Sequence, residues 1–152
     1  SLVGRRDAAA QLVAGYLHRI EKVKARTDKQ LTRPRVYFEE WDEPMISAIR
    51  WVSELIDVAG GQDIFRERSK GGHAKDRIVT VAEVVEASPE VMLASWCGKP
   101  LDREAVLNRP GMGAVPAVTN GKIHEVPPEI ILQPGPACLT DGLDALETLI
   151  HR

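Results

Sequence analysis

The run Val91-Met92-Leu93-Ala94-Ser95 constrains the fold most, because it is apolar without alternation over the length of a strand. Such a strand is buried on both faces, the situation of parallel sheets covered by helices. Segments of two periods alternate around it. From Asp7 to about Ala25, the residues Ala9, Leu12, Val13, Tyr16, Leu17, Ile20 and Val23 keep the spacing of one face of a long amphipathic helix. Arg33-Pro34 ends that pattern, since a residue before proline is pushed out of helical geometry. Arg35 to Glu39 then reads as a buried strand. Ile46, Ile49, Val52, Leu55, Ile56 and Ala59 return to helical spacing, and Gly60-Gly61 supplies a left-handed stop. Arg66 to Asp76 is charged and glycine-rich, hence an exposed loop. Thr80 and Glu83 form a capping box ahead of a short helix that Ser88-Pro89 closes. Asp102 caps another short helix through Asn108. Val115 to Val118 and Ile123 to Val126 flank Asn120-Gly121, a tight-turn signal between strands. A last helix carries Leu139, Leu143, Leu146, Leu149 and Ile150.

This alternation predicts an α/β domain: a mostly parallel sheet flanked by helices, with a long N-terminal helix. Ligands of such sheets collect beyond the carboxyl ends of the strands. Trp41 and Trp96 each follow a predicted strand, so both belong to that edge. The first lies in Tyr37-Phe38-Glu39-Glu40-Trp41-Asp42-Glu43-Pro44, where four acids crowd into five residues around one indole. Carboxylates want water and an indole wants cover, a conflict that suits the rim of a pocket. Adjacent strand residues point to opposite faces, so Glu39, Glu40, Asp42 and Glu43 make a poor catalytic pair. They read as solvated or rim carboxylates, able to hydrogen-bond a ligand or dock a partner.

Cys97 follows a strand and precedes Gly98. It is either the nucleophile of a small α/β enzyme or an unreactive pocket thiol, and no base is assigned to it. His18, His73, His124 and His151 hold no ligand spacing with Cys97 or Cys138. Gly71-Gly72-His73-Ala74-Lys75 matches neither the dinucleotide nor the P-loop pattern. Trp51 sits at core spacing.

At 152 residues the chain fits one domain with a real core. Its net charge of −2, without a basic stripe, argues against nucleic acid as a partner. No run of about 18 apolar residues could span a bilayer, and Ser1 to Arg6 lacks the apolar centre of a signal peptide. The chain opens inside a helical pattern without an initiator Met, as expected of a fragment of a longer protein.

Taken as an ordered set, Arg33 to Pro44, Trp51 through Gly60-Gly61, Ile78-Val79-Thr80 with the Glu83-Val84-Val85 helix and Ser88-Pro89, Val91 to Gly98, and Leu132-Gln133-Pro134-Gly135-Pro136 resemble the cobalamin-binding branch of the periplasmic binding proteins of ABC importers. The resemblance spans essentially the whole chain. It implies two α/β lobes joined by one rigid helix, with ligand in the cleft between them. Residues 1–30 would be that helix and residues 31–152 the carboxyl-terminal lobe, the N-terminal lobe being missing. It further implies a substrate-binding component and no enzyme, in the periplasm or outside the cell on a membrane anchor, with a permease as partner. Trp41 and Trp96 would offer flat faces to a corrinoid, Glu40, Asp42 and Gln133 would hydrogen-bond its peripheral amides, and Cys97 would join this ligand-binding set. No cofactor of the protein's own and no metal ligand from the protein are implied. Haem or a ferric siderophore is the alternative ligand in the wider class. Permease docking in such proteins uses a glutamate in a Ser/Thr-x-Glu pattern; here Thr80-Val81-Ala82 puts alanine at that place, with Glu83 one step later. The long helix braces both lobes in the family, so part of its apolar face is expected to be covered by a second copy of the chain or left exposed.

Overall fold

A computed structural model describes residues 4–152, so the expectations for residues 1–3 lie outside the described residues. The long helix is α1, Arg6–Thr27. It leads through a polar turn into β1, Arg35–Asp42, which runs three residues past the predicted strand. The acids are therefore on a strand and its hairpin rather than in a loop. The physical reason is β2, Met45–Ser47, which folds back antiparallel on β1 and pairs Asp42 with Met45 and Trp41 with Ile46. Ile46 thus belongs to a strand, a second departure from the predicted pattern, and helix α2 spans Arg50–Val58. Gly60 (φ 85°) closes α2 in the left-handed region, as its sequence promised.

A two-residue strand β3, Gln62–Asp63, is too short to leave a periodic signature. The predicted exposed loop contains one turn of helix, α3 (Arg66–Ser69), and a 3-10 turn at Ala74–Arg77. Helix α4, Val81–Ala87, carries the predicted capping box, and β4, Val91–Ala94, is buried at every position. Helix α5 covers Arg103–Leu107 behind its Asp102 cap. Beyond a 3-10 turn at Met112–Ala114, Pro116–Thr119 forms α6 where a strand was expected. Proline at the first helical position starts a helix, which overrides the β-branched neighbours. Asn120-Gly121 still makes a turn, but it connects a helix to β5, Ile123–Glu125, which joins β4 in parallel. Helix α7 (Pro128–Ile131), a π-turn at Cys138–Gly142 and α8 (Leu143–His151) complete the chain.

The sheet runs β2-β1-β4-β5, with β3 pairing β1 on its outer side. All pairs are parallel except β1 with β2. Alternation in β1 and β4 divides the interior. Val36, Phe38, Val91 and Leu93 pack against α1, α2 and α8, whereas Tyr37, Met92 and Ala94 pack against α4 and the segments carrying Val106, Met112, Val115 and Ala117.

Only the second half of α1 is anchored to this body. Val23 and Thr27 are buried, the Thr27 hydroxyl donates to the Val58 carbonyl at 2.9 Å, and Arg26 grips Glu147 of α8. Leu12, Val13 and Leu17 stay 55%, 54% and 56% exposed. Part of the apolar face of α1 is thus exposed in this chain.

Candidate ligand site at the carboxyl edge of the sheet

Strands β1 and β4 run in register, with Glu39 opposite Ala94, and the Ser95 amide donates to the Glu39 carbonyl at 2.9 Å. Trp41 and Trp96 each lie two positions beyond that pair. The predicted common edge is real, and three carboxylates of the acidic stretch are positioned there in three different ways.

Glu39 is not a rim carboxylate. It points into the second core with Tyr37, two residues earlier on the same face, and has no exposure. Arg109 donates to both its oxygens, at 2.6 and 3.0 Å. The Tyr37 hydroxyl donates at 2.7 Å and the Trp96 indole N–H at 3.1 Å. Four donors thus satisfy a buried carboxylate that would otherwise be very costly. Burial, reinforced by the neighbouring Glu39 charge, raises the Tyr37 phenol well above its usual range, so it remains a neutral donor. Burial would lower the Arg109 guanidinium, but the hydrogen bonds and charge of Glu39 outweigh this and raise it. Arg109 carried no local signal in the sequence; only the demand of a buried acid for a cation points to it.

The same network corrects the expectation for Trp96. It is 3% exposed, held by its N–H on Glu39, and does not offer a bare face to a macrocycle. Buried indoles seek an acceptor for their one donor, and the side chain is pulled inward to reach it.

Glu40 and Asp42 stay near the surface, each with its own cation. The nearly buried Arg77 donates to Glu40 at 2.6 Å and to the Ser47 carbonyl at 2.5 Å. The Lys99 ammonium lies 2.7 Å from Asp42. It also sits 4.6 Å from the centre of the Trp41 ring and 5.0 Å from that of Trp96. Trp41 is half-buried and donates its N–H to the Glu43 carbonyl at 2.9 Å.

Four of the six predicted ligand residues, Glu40, Trp41, Cys97 and Gln133, meet in one depression of ≈ 350 Å³, closed by Ile46, Pro128 and Leu132. Trp96 lines a neighbouring depression of ≈ 520 Å³ with Lys99, Glu125 and Glu129. Asp42 lines neither and is engaged with Lys99. Cys97 is exposed, whereas Cys138 is buried and donates its thiol to the Gln133 carbonyl at 2.7 Å, bracing the chain next to that wall. No group of three His, Cys, Asp or Glu side chains placed to hold a metal occurs among the described residues. Glu83 is committed locally. Its carboxylate accepts from the Thr80 amide at 2.7 Å and binds Arg68, and the Thr80 hydrogen bonds hold its pKa below the ordinary glutamate range.

A third cavity of ≈ 480 Å³ lies away from this edge, between α1 and α2, lined by Tyr16, Ile20, Trp51, Leu55, Val58 and Leu139. It continues the exposed apolar face of α1. The Trp51 N–H donates to the Ile131 carbonyl at 3.0 Å, so that indole is a packing residue with its polar atom satisfied.

The parallel sheet, its long leading helix and the depressions at its carboxyl edge define an α/β domain with a candidate ligand edge. The family model described as periplasmic binding protein matches residues 1–130, and the chain belongs to that family. No curated protein sequence matches it. Among solved structures, a periplasmic solute-binding protein of Staphylococcus epidermidis superposes on 99% of this chain with a TM-score of 0.82 at 22% identity. The periplasmic heme-binding protein RhuT from Roseiflexus matches 98% of the chain with a TM-score of 0.73 at 21% identity. The periplasmic vitamin B12 binding protein BtuF of Vibrio cholerae matches 88% with a TM-score of 0.64 at 19% identity. The chain spans 58%, 59% and 50% of those three proteins. At these identities the likeness is one of fold. No helix among the described residues is long and apolar enough to cross a membrane.

Proposed function

We propose that this chain is the carboxyl-terminal lobe, residues 31–152, with the interlobe helix, residues 1–30, of the substrate-binding component of an ABC importer, and that its ligand is cobalamin or a related corrinoid. The protein binds and delivers; it is not an enzyme. It works in the periplasm or, membrane-anchored, outside the cell, with an N-terminal lobe closing the cleft and a permease receiving the ligand. Glu83 is the candidate docking residue on this lobe, although its cap and its Arg68 contact must loosen for it to reach a partner.

The observation that carries the ligand class is that, among the described residues, the one charged residue lining the Trp41 depression, Glu40, has its own cation. Glu40 is matched by Arg77 and Asp42 by Lys99, and Glu39 is withdrawn into the core with Arg109. What remains around the Trp41 depression is an apolar face with paired hydrogen-bonding groups, including the Gln133 amide. Such a surface suits an uncharged macrocycle edged with amides, whereas the propionates of haem call for free cations. In this reading Trp41 stacks on the ligand, Glu40 and Gln133 bond its amides, Cys97 contacts it without chemistry, and Trp96 and Asp42 act through Lys99.

Titration calorimetry on the two-lobed gene product with cyanocobalamin, haem and a ferric hydroxamate tests the reading. Cyanocobalamin is expected to bind with a dissociation constant of about 1 µM or tighter, near −8 kcal/mol. Preference for haem would replace the corrinoid by the alternative ligand and refute the argument from paired charge.

A further inference from the structure

Lys99 is held at the ligand edge by side chains of two different strands' ends. It lies in the exposed Cys97–Pro100 turn, where Gly98 (φ 83°) has open space around it. Yet its ammonium is 4.6 Å from one indole centre, 5.0 Å from another and 2.7 Å from the Asp42 carboxylate. Two aromatic faces and a carboxylate converging on one ammonium is the arrangement by which proteins hold cationic ligands. Here the chain supplies the occupant itself.

We propose that Lys99 is a latch on the tryptophan face of the ligand edge: its ammonium masks Trp41, and a flat ligand stacks on that ring only after the ammonium has swung out to solvent. The Lys99 side chain is 40% exposed and that of Asp42 19%, so the ion pair is partly screened by water and the ammonium has a path to solvent. Trp96 cannot follow, because its N–H is tied to the buried Glu39. The fixed ring is a seat for the ammonium and the movable partner is Lys99. Latching lowers apparent affinity by the fraction of molecules that are open, so a variant without the latch binds more tightly. The ligand half of this proposal rests on the corrinoid reading above; the masking of Trp41 does not.

The test compares the parent with Lys99→Ala and Lys99→Arg. Acrylamide is uncharged, so its quenching of tryptophan emission reports access to the rings and ignores the altered charge. Quenching is expected to rise in Lys99→Ala and to stay near the parent in Lys99→Arg, which restores the cation, while Trp51 contributes a constant background. In calorimetry of the two-lobed protein with cyanocobalamin, Lys99→Ala is expected to bind about 3- to 30-fold more tightly than the parent. Unchanged quenching overturns the latch, whatever binds. Greater quenching with weaker binding also overturns it, since Lys99 would then be a contact of the ligand. Greater quenching with no cyanocobalamin binding by either form upholds the masking of Trp41 and removes the corrinoid reading alone.

Discussion

The Arg109 guanidinium closes on the buried Glu39 carboxylate through two hydrogen bonds of 2.6 and 3.0 Å, and this pair fixes the depth at which Trp96 sits. Its partners come from the middle of β1 and from the turn after α5, so it ties two parts of the second core together. Removing one member of a buried pair leaves the other uncompensated. Arg109→Met is expected to cost about 3–5 kcal/mol of stability in urea unfolding. The double variant Glu39→Leu, Arg109→Met should cost less than the sum of the single changes. Strict additivity would show that the two side chains do not act as a pair.

The two tryptophans at the edge should separate cleanly in experiment. Trp96→Phe keeps a ring but deletes the donor to Glu39, and about 1 kcal/mol of stability should be lost in thermal unfolding. Trp41→Ala, at a half-buried position, should leave the melting temperature within a few degrees while weakening corrinoid binding by about 1–3 kcal/mol. Equal loss of stability in both variants would contradict the division of roles.

Asp63 predicts a pH effect with a definite sign. Burial raises its carboxyl above the unfolded value of 3.8, and a hydrogen bond from the Phe65 amide offsets this only in part. A raised acid contributes stability that is fully present below its unfolded pKa and lost as pH rises through its folded value. Asp63→Asn keeps the acceptor for Phe65 without the charge, so its stability relative to the parent should grow from about pH 4 toward neutrality. A relative stability that stays flat or falls over that range, followed by denaturant melts, would rule this out.

The exposed face of α1 should show itself in solution. With Leu12, Val13 and Leu17 uncovered beside an apolar groove, the 152-residue chain is expected to associate with concentration, and Leu17→Glu should shift it toward monomer. Static light scattering over a micromolar range measures this. Monomers of both forms throughout would mean that water covers the face.

Much of the architecture was legible because period and caps are local. The unbroken apolar run became β4, Thr80 and Glu83 made their box, and the spacing of α1 held to its last turn. The errors share one cause. At Ile46 and at Val115 to Val118 a few apolar residues fit either period, and the decision came from pairing with β1 in one case and from Pro116 in the other. The candidate site was legible as a cluster at one edge of the sheet but not as chemistry. Four of six residues share one depression, while Glu39 looked like its acidic neighbours and turned out to face inward. Whether an acid on a strand is wet or dry depends on a cation 70 positions away, which no window on the sequence contains.

Gly142, in the π-turn before α8, abuts the Ile130 carbonyl so closely that even a methyl group there would collide with backbone. Ile130 belongs to α7, and the residues that follow it, Leu132 and Gln133, form a wall of the Trp41 depression. The shape of the depression thus depends on a residue that does not line it. A side chain at 142 would have to push α7 and this wall outward, so the volume beside Trp41 is set partly from behind while every lining residue stays unchanged.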